Sequence, residues 1–238
     1  MSRDPEYYRR NWDAYYTAVR GGTRVPWDVP HEDAAALDLI TFGPWFDPAL
    51  PVLDLGCGTG TQSVFLRTRF RRVIGADISS EVVRMAHERH ATEGLTFEVL
   101  NALSPEEISK FHARHGDVNV YMRGTLQQIR PEDRSAFVDG LRTALGPGGT
   151  LYFLEVSPLA RRHFVEMHLE RGGLPPALER VLAEGVTALT GVAIEEVPTV
   201  FWGMRIVVSG PGTISLSLGN GESTQVPATY GVVRNPQG

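Results

Sequence analysis

Apolar and polar residues follow two alternating patterns along the middle of the chain. From residue 50 onward, short apolar runs of strand length are separated by helix-like stretches. The strands are predicted at 51–55, 72–76, 95–100, 117–122 and 150–156, and the helices at 61–69, 79–91, 105–115 and 134–145. Mostly apolar strands that alternate with helices favour a parallel sheet covered on both faces. We therefore predict an α/β fold with a doubly wound, mostly parallel sheet.

The two ends of the chain differ from this middle section. The first 46 residues are rich in Tyr and Trp, and Gly219-Asn220-Gly221 is a hairpin turn signal that predicts an antiparallel pair of final strands. We predict one domain over 1–238. Its parts are a helical N-terminal lid (1–46), a core (50–156), an insert of one or two helices (157–190) and C-terminal strands (195–235).

Composition narrows the classes of function. The formal net charge of −5 argues against a general nucleic-acid binder, which would present a basic face. Cys57 is the single cysteine, so an intramolecular disulfide and a four-thiolate metal site are excluded. The N-terminus does not resemble a signal peptide, and no apolar run reaches the ~18 residues of a membrane span. We expect a cytoplasmic protein without a membrane partner; its oligomeric state is not indicated.

The segment 52–60 reads Val-Leu-Asp-Leu-Gly-Cys-Gly-Thr-Gly, an apolar strand that runs directly into a glycine-rich turn. Glycine allows a tight turn and lets a ligand approach where a Cβ would clash. The helix predicted from Thr61 offers unpaired N–H groups at its start. This arrangement predicts a small-molecule pocket at the carboxyl end of the first strand.

A dinucleotide is the first alternative for such a turn. That fingerprint needs G-x-G-x-x-G, and here Thr61 occupies the position of the third glycine. The carboxylate of Asp54 would also repel a pyrophosphate and suits a cationic or neutral ligand better. A nicotinamide-dependent oxidoreductase is therefore the less favoured interpretation.

The same nine residues match motif I of the class I S-adenosylmethionine-dependent methyltransferases, with the signature V-L-D-x-G-x-G-x-G. Leu145-Gly146-Pro147-Gly148-Gly149-Thr150 is similar to the L-x-P-G-G-x turn of that family, and the resemblance covers roughly 50–156. It implies S-adenosylmethionine as cofactor. The cofactor-binding residues that it implies are Asp54, Gly56, Gly58, Gly60, Asp77, Ile78, Asn101, Ala102 and Trp27.

Individual roles follow from chemistry and from position in that family. Asp77, 17 residues after Gly60, can accept hydrogen bonds from both ribose hydroxyls, or can instead cap the helix near Ser79. Asn101 stands where the family often has an Asp that reads the adenine amino group; its carbonyl can still accept that bond, or it can cap the next helix. Trp27 can cover a sulfonium through a cation–π contact, or simply pack the lid.

The acceptor side is predicted at the carboxyl ends of the fourth and fifth strands. Arg123 can fix an anionic group, and Glu155 can act as a base, as an orienter of an amine or as the partner of Arg123; a structural ion pair is the alternative for both. We expect a pocket lined by aromatics such as Tyr15, Tyr16 and Trp27. His163 and His168 are five residues apart, so no metal site is expected.

These features predict methyl transfer to a small-molecule acceptor, with an oxygen, nitrogen, sulfur or carbon nucleophile. The base is needed only where the nucleophile carries a proton at the wrong pKa. A protein that binds S-adenosylmethionine without catalysis remains an alternative.

Overall fold

The computed structural model describes residues 6–19, 25–90, 92–183, 191–219 and 221–236. The helices are α1 (Tyr7–Val19), α2 (Ala35–Phe42), α3 (Thr61–Arg67), α4 (Ser80–His90), α5 (Pro105–His115), α6 (Arg134–Leu145), α7 (Ala160–Arg171), α8 (Pro176–Ala183) and α9 (Val197–Val200). The strands are β1 (Val52–Leu55), β2 (Val73–Asp77), β3 (Leu95–Val99), β4 (Asn119–Arg123), β5 (Thr150–Val156), β6 (Arg205–Gly219) and β7 (Glu222–Arg234).

The strands form one seven-stranded sheet in the order β3-β2-β1-β4-β5-β7-β6. Strands β1 to β5 are parallel, and β7 lies antiparallel between β5 and β6. Strands β1, β2 and β3 proceed outward to one edge, and β4 and β5 then proceed in the opposite direction. On that side β7 pairs with β5, and β6 forms the other edge. This confirms the doubly wound, mostly parallel sheet with an antiparallel C-terminal pair. The reversal of strand order between β1 and β4 opens a crevice at their carboxyl ends, where ligands of such sheets bind.

Burial explains why the apolar runs form central strands. Every residue of β1, β2 and β5 is buried, because helices cover both faces of the sheet. At the edge, β3 instead alternates, with Leu95 and Phe97 buried and Thr96 exposed. The bounds predicted for α5, α6 and β5 are confirmed to the residue, and the other predicted core elements begin and end within two residues of their predicted bounds.

The C-terminal prediction needs one correction. Residues 195–204 were expected to contribute to the final strands, but Ile194–Glu196 is a 3₁₀ helix and α9 follows it. Pro198 lies in the first turn of α9, where its missing N–H costs nothing. The side chain of Phe201 is buried and stacks on Phe153 at 4.8 Å between ring centroids.

The final hairpin is formed by the two long strands β6 and β7. Strand β6 contains Gly210-Pro211-Gly212, which resembles a turn in sequence, yet β6 is an edge strand and so tolerates a proline. Asn220, at the centre of the predicted turn, lies outside the described residues. The insert, predicted as one or two helices, forms α7 and α8. Its last residues, 184–190, are also outside the described part.

Candidate cofactor and acceptor site

A cavity of about 150 Å³ lies at the carboxyl ends of the parallel strands. One half is bordered by residues that end or follow β1, β2 and β3. The other half is bordered by residues from β4, β5, β6, α7 and α8. Side chains of α1 and of the segment after it cover the opening.

The glycine turn after β1 adopts the conformation that its sequence predicts. Gly56, Gly58 and Gly60 have φ values of 78°, 52° and 86°, in the left-handed region that favours glycine. A Cβ on Gly56 would collide with the Thr125 hydroxyl, whereas a Cβ on Gly58 would lie 3.4 Å from the Tyr16 hydroxyl. Gly56 borders the cavity directly. The turn therefore brings bare backbone to the cavity wall.

Gly60 and Asp54 lie behind this wall rather than on it. A Cβ on Gly60 would approach the Phe97 ring to 2.8 Å, so this glycine permits close packing against β3. Asp54 is 3% exposed and accepts a hydrogen bond from the Ser63 hydroxyl at 2.5 Å. Burial raises the pKa of Asp54 to about 7, although the Ser63 bond opposes the shift. Both residues support the turn from inside the fold. Neither of them lines the cavity.

Asp77 ends β2 and faces the cavity. One carboxylate oxygen accepts the backbone N–H of Gly58 at 3.1 Å, and the other accepts that of Ser79 at 3.0 Å. Burial raises the pKa of Asp77 to about 6, and these N–H groups oppose the shift. Asp77 thus bonds a backbone N–H just before α4, as its capping alternative predicts, and it also lines the cavity, as its ligand-binding role requires. Its position is fixed by the turn before α3 and by the start of α4.

Ile78, Asn101 and Ala102 also border this half of the cavity. The side-chain oxygen of Asn101 accepts the backbone N–H of Leu103 at 2.9 Å, in a local turn before α5. The N-cap of α5 is Ser104, so Asn101 does not take the helix-capping role that was its alternative. An amide oxygen has two lone pairs and can accept hydrogen bonds from two donors. The sequence placed all three residues at this site, and the structure brings them together.

Aromatic side chains cover the glycine turn. Tyr16, Trp12 and Trp27 line the cavity, and the Trp27 indole N–H donates to the Tyr16 hydroxyl at 3.2 Å. Tyr15 does not line it, which corrects the expectation. Neighbouring residues of a helix point about 100° apart, so Tyr15 faces the interior and is 2% exposed.

Polar contacts that the sequence did not reveal hold this cover in place. Asp13 of α1 accepts the Ser79 hydroxyl at 2.6 Å and the backbone N–H of Glu81 at 3.2 Å, so it caps α4 from another element. The Thr61 hydroxyl donates to Asp28 at 2.5 Å. No local feature of the sequence of α1 or α4 identifies Asp13 as this partner.

Arg123 borders the second half of the cavity, but its partner is not Glu155. The Nε atom lies 3.8 Å from Oδ2 of Asp38, a residue that sequence reasoning missed. Asp38 also accepts the hydroxyls of Tyr121 at 2.6 Å and Tyr152 at 3.0 Å. Burial raises the pKa of Asp38, and nearby Arg123 opposes the shift. Its available signal was a lone carboxylate in the otherwise apolar run of α2.

Glu155 is fully buried and lies behind the loop that follows β4. Its oxygens accept the backbone N–H groups of Thr125, Leu126 and Gln127 at 3.0, 2.9 and 3.0 Å. Burial raises the pKa of Glu155 to about 7 against these bonds. Because Glu155 does not border the cavity, its placement fits a positioning residue for this loop rather than a base that touches an acceptor.

Two further findings concern the described residues only. No group of three or more His, Cys, Asp or Glu side chains there is arranged to hold a metal ion. Within the same ranges, no helix combines the length and the apolar character needed to cross a membrane.

His163 contacts Thr224 at 3.0 Å and does not line the cavity.

The first half of the cavity fits S-adenosylmethionine on geometric grounds. The backbone of Gly56, which carries no Cβ, borders the cavity, and the buried carboxylate of Asp77 faces the same space. The aromatic faces of Trp12 and Trp27 suit a sulfonium better than an anionic pyrophosphate.

Comparison with known proteins agrees with this geometry. A methyltransferase-domain family model matches residues 52–149. A solved S-adenosylmethionine-dependent methyltransferase from Anabaena variabilis is 30% identical, with 95% of this chain and 94% of that chain covered and a TM-score of 0.89.

Curated relatives match over shorter stretches. Methyltransferase gedG of Aspergillus terreus is 34% identical over 42% of this chain and 29% of its own length. The carboxy-S-adenosyl-L-methionine synthase of Citrifermentans bemidjiense is 30% identical over 60% of this chain and 61% of its own length. The match to these two relatives thus spans less than two thirds of either. Taken with the near-complete match to the Anabaena protein, the fold and the glycine turn show that the chain belongs to the S-adenosylmethionine-dependent methyltransferase family, whose cofactor is S-adenosylmethionine.

Proposed function

We propose that this chain transfers the methyl group of S-adenosylmethionine to a small-molecule acceptor. One observation carries the proposal: the cavity beside Gly56 and Asp77 continues, without a separating wall of side chains, into a half lined mainly by apolar residues of α7, α8 and β6. A donor and an acceptor can therefore occupy one continuous cavity. Small, mainly apolar cavities with a few polar groups are typical of sites for small metabolites.

The residues of the first half would hold the donor. Asp77 would accept hydrogen bonds from the ribose hydroxyls, and Asn101 with Ala102 would contact the adenine. Bound there, the donor supplies an electrophilic methyl group on a sulfonium. The chain contributes binding, alignment and exclusion of water, which together account for much of the acceleration expected of such a transfer.

Residues after β4 would orient the acceptor. Gln127 and Gln128 border the cavity, and Glu155 fixes the backbone of Gln127 from behind. A glutamine side chain can donate and accept hydrogen bonds but cannot remove a proton at neutral pH. The contacts thus support an orienting role for this loop, with the nucleophile left unassigned among oxygen, nitrogen, sulfur and carbon.

The proposal is tested by incubating the protein with donor carrying a ¹³C-labelled methyl group and a panel of apolar small molecules. We expect one labelled methyl group in a product, found by mass spectrometry, and a large loss with Asp77→Ala. Arg162→Gln, on the exposed face of α7, is the matched control and should retain activity. Donor binding without turnover on any acceptor would favour the non-catalytic alternative.

A further inference from the structure

The acceptor half of the cavity has a sharply uneven distribution of charge. Among the lining residues in the described part of the chain, the charged side chains are those of Asp77 and Arg123. Asp77 belongs to the donor half. The acceptor half therefore presents a single cation, Arg123, in a wall that is otherwise apolar or neutral. Its apolar members include Val156, Phe164, Leu174, Leu178, Ile214 and Leu216.

The direction of the Arg123 side chain places its charge in the acceptor half. Arg123 ends β4, and its Nη2 atom approaches the backbone oxygen of Ser215 in β6 at 3.4 Å. Ser215 lies between Ile214 and Leu216, which both line the cavity. The guanidinium is thus directed toward β6, on the opposite side of β1 from Asp77.

The hydrogen-bonding capacity of this guanidinium is poorly used by the protein. The Arg123 side chain is 7% exposed, yet its contacts are long, at 3.8 Å to Asp38 and 3.4 Å to Ser215. Its Nε atom is buried without a hydrogen-bond partner. A buried guanidinium with unmade hydrogen bonds is costly unless a ligand completes them.

Asp38 does not satisfy the hydrogen-bonding groups of Arg123. Its two oxygens are held by the hydroxyls of Tyr121 and Tyr152 at 2.6 and 3.0 Å, much closer than Arg123. The carboxylate is therefore anchored to the sheet and leaves the planar fork of Arg123 available. Asp38 balances the buried charge in the absence of ligand without forming the paired, two-bond contact that a carboxylate and a guanidinium can make.

We propose that Arg123 is the anion-binding residue of the acceptor half, and that the acceptor is an apolar small molecule carrying one anionic oxygen group such as a carboxylate. This inference rests on the proposed function. The apolar wall formed by α7, α8 and β6 takes the hydrocarbon body of the acceptor, and Arg123 holds the anionic end. That contact fixes the orientation of the acceptor relative to the donor half.

The inference is tested by titrating three small molecules into protein saturated with S-adenosylhomocysteine. They are 4-phenylbutyrate, 4-phenylbutyramide and 4-phenylbutylamine, which are similar in shape and differ in their polar end group. Calorimetry should show that the acid binds at least ~10-fold more tightly than the amide, with the amine weakest. Arg123→Gln should abolish the difference between acid and amide, whereas Arg123→Lys should retain part of it. Arg162→Gln, an exposed arginine on α7, should behave as the wild type.

Folding of the variants is controlled separately. Because Arg123→Gln leaves Asp38 without its cation, the double variant Asp38→Asn/Arg123→Gln removes both charges and must also lose the preference for the acid. The inference is overturned if the wild-type protein binds the acid and the amide equally. It is also overturned if the preference for the acid survives in Arg123→Gln or in the double variant. A loss of S-adenosylhomocysteine affinity in Arg123→Gln, with the acid preference intact, would instead assign Arg123 to the carboxylate of the donor.

Failure of the proposed function gives a different result. If S-adenosylhomocysteine does not bind to the wild type at all, the donor assignment is wrong. The same three probes, titrated into protein without S-adenosylhomocysteine, then still measure whether Arg123 selects an anion.

Discussion

The carboxylate of Asp77 accepts the backbone N–H of Gly58 at 3.1 Å. This bond joins the end of β2 to the turn that follows β1, so the carboxylate and the bare backbone of the turn are fixed relative to each other. The second oxygen of Asp77 receives the N–H of Ser79. The Asp77 side chain thus holds the turn after β1 and the start of α4 together at the donor half of the cavity. Its removal should weaken donor binding more than it lowers the stability of the fold.

We expect Asp77→Ala to weaken donor binding by ~1.5–3 kcal/mol, the range for hydrogen bonds to a charged group. Calorimetry with S-adenosylhomocysteine gives the affinity, and thermal unfolding gives the stability. Asp139→Ala, an exposed carboxylate on α6, is the control and should leave both quantities unchanged. Unaltered affinity with a lowered Tm would mean that Asp77 serves only as a helix cap.

The glycines of the turn should separate binding from folding. Gly58→Val places a branched side chain beside Tyr16 and Trp27, where the cover meets the cavity, and should abolish donor binding in a folded protein. Gly60→Ala directs its Cβ into the Phe97 ring at 2.8 Å and should mainly lower the Tm. Normal calorimetric affinity in a folded Gly58→Val protein would refute the placement of the donor.

Much of this architecture can be predicted from local sequence. Contacts between side chains that are distant in the sequence cannot. The apolar runs predict the central strands because β1, β2 and β5 are buried on both faces. The glycine turn was predictable because it lies within one strand, turn and helix. Asp77 was predictable because it ends the second strand, where the family resemblance implies an acidic residue. Glu155 was placed at the wrong surface because its strand is buried on both faces, so periodicity does not tell which way the side chain points.

Asp38 and Asp13 show the limit more clearly. Asp38 reaches Tyr121, Tyr152 and Arg123 over more than 80 residues of sequence, and Asp13 caps α4 from more than 60 residues away. A lone carboxylate in a helix has no local feature that names such partners. These contacts depend on how α1 and α2 pack on the sheet, which the periodicity of either helix leaves open.

The buried carboxyl group of Asp54 should make stability depend on pH. Burial raises its pKa from the ordinary 3.8 to about 7, so the folded state holds a proton that the unfolded state releases. The stabilisation is complete below pH 3.8 and is lost as the pH rises through about 7. The Tm of Asp54→Asn, which mimics the protonated form, should therefore fall less than that of the wild type over this interval.

Thermal unfolding across that pH range is the measurement, with Asp139→Asn as the matched surface control. Asp77 and Glu155 titrate with pKa values raised in the same direction, so the variant should reduce the slope without removing it. An identical pH slope in Asp54→Asn and the wild type would show that Asp54 is already ionised in the folded protein.

The aromatic cover and the insert should respond to the donor. Tyr16 and Trp27 close one side of the cavity, and Phe164, Leu174 and Leu178 close another. Hydrogen exchange should therefore show added protection of backbone amides in 6–19, 25–30 and 160–175 when S-adenosylhomocysteine is bound. Residues 110–115 of α5, none of which lines the cavity, serve as the internal reference. Equal exchange with and without ligand would exclude closure of these segments over the site.

Direct titration of S-adenosylhomocysteine into the wild-type protein tests the central claim most simply. Calorimetry should give one binding site per chain, and a parallel titration with NAD should give no heat of binding, because Thr61 stands where the dinucleotide fingerprint needs its third glycine. Absence of S-adenosylhomocysteine binding to folded protein, or tighter binding of NAD, would contradict the account.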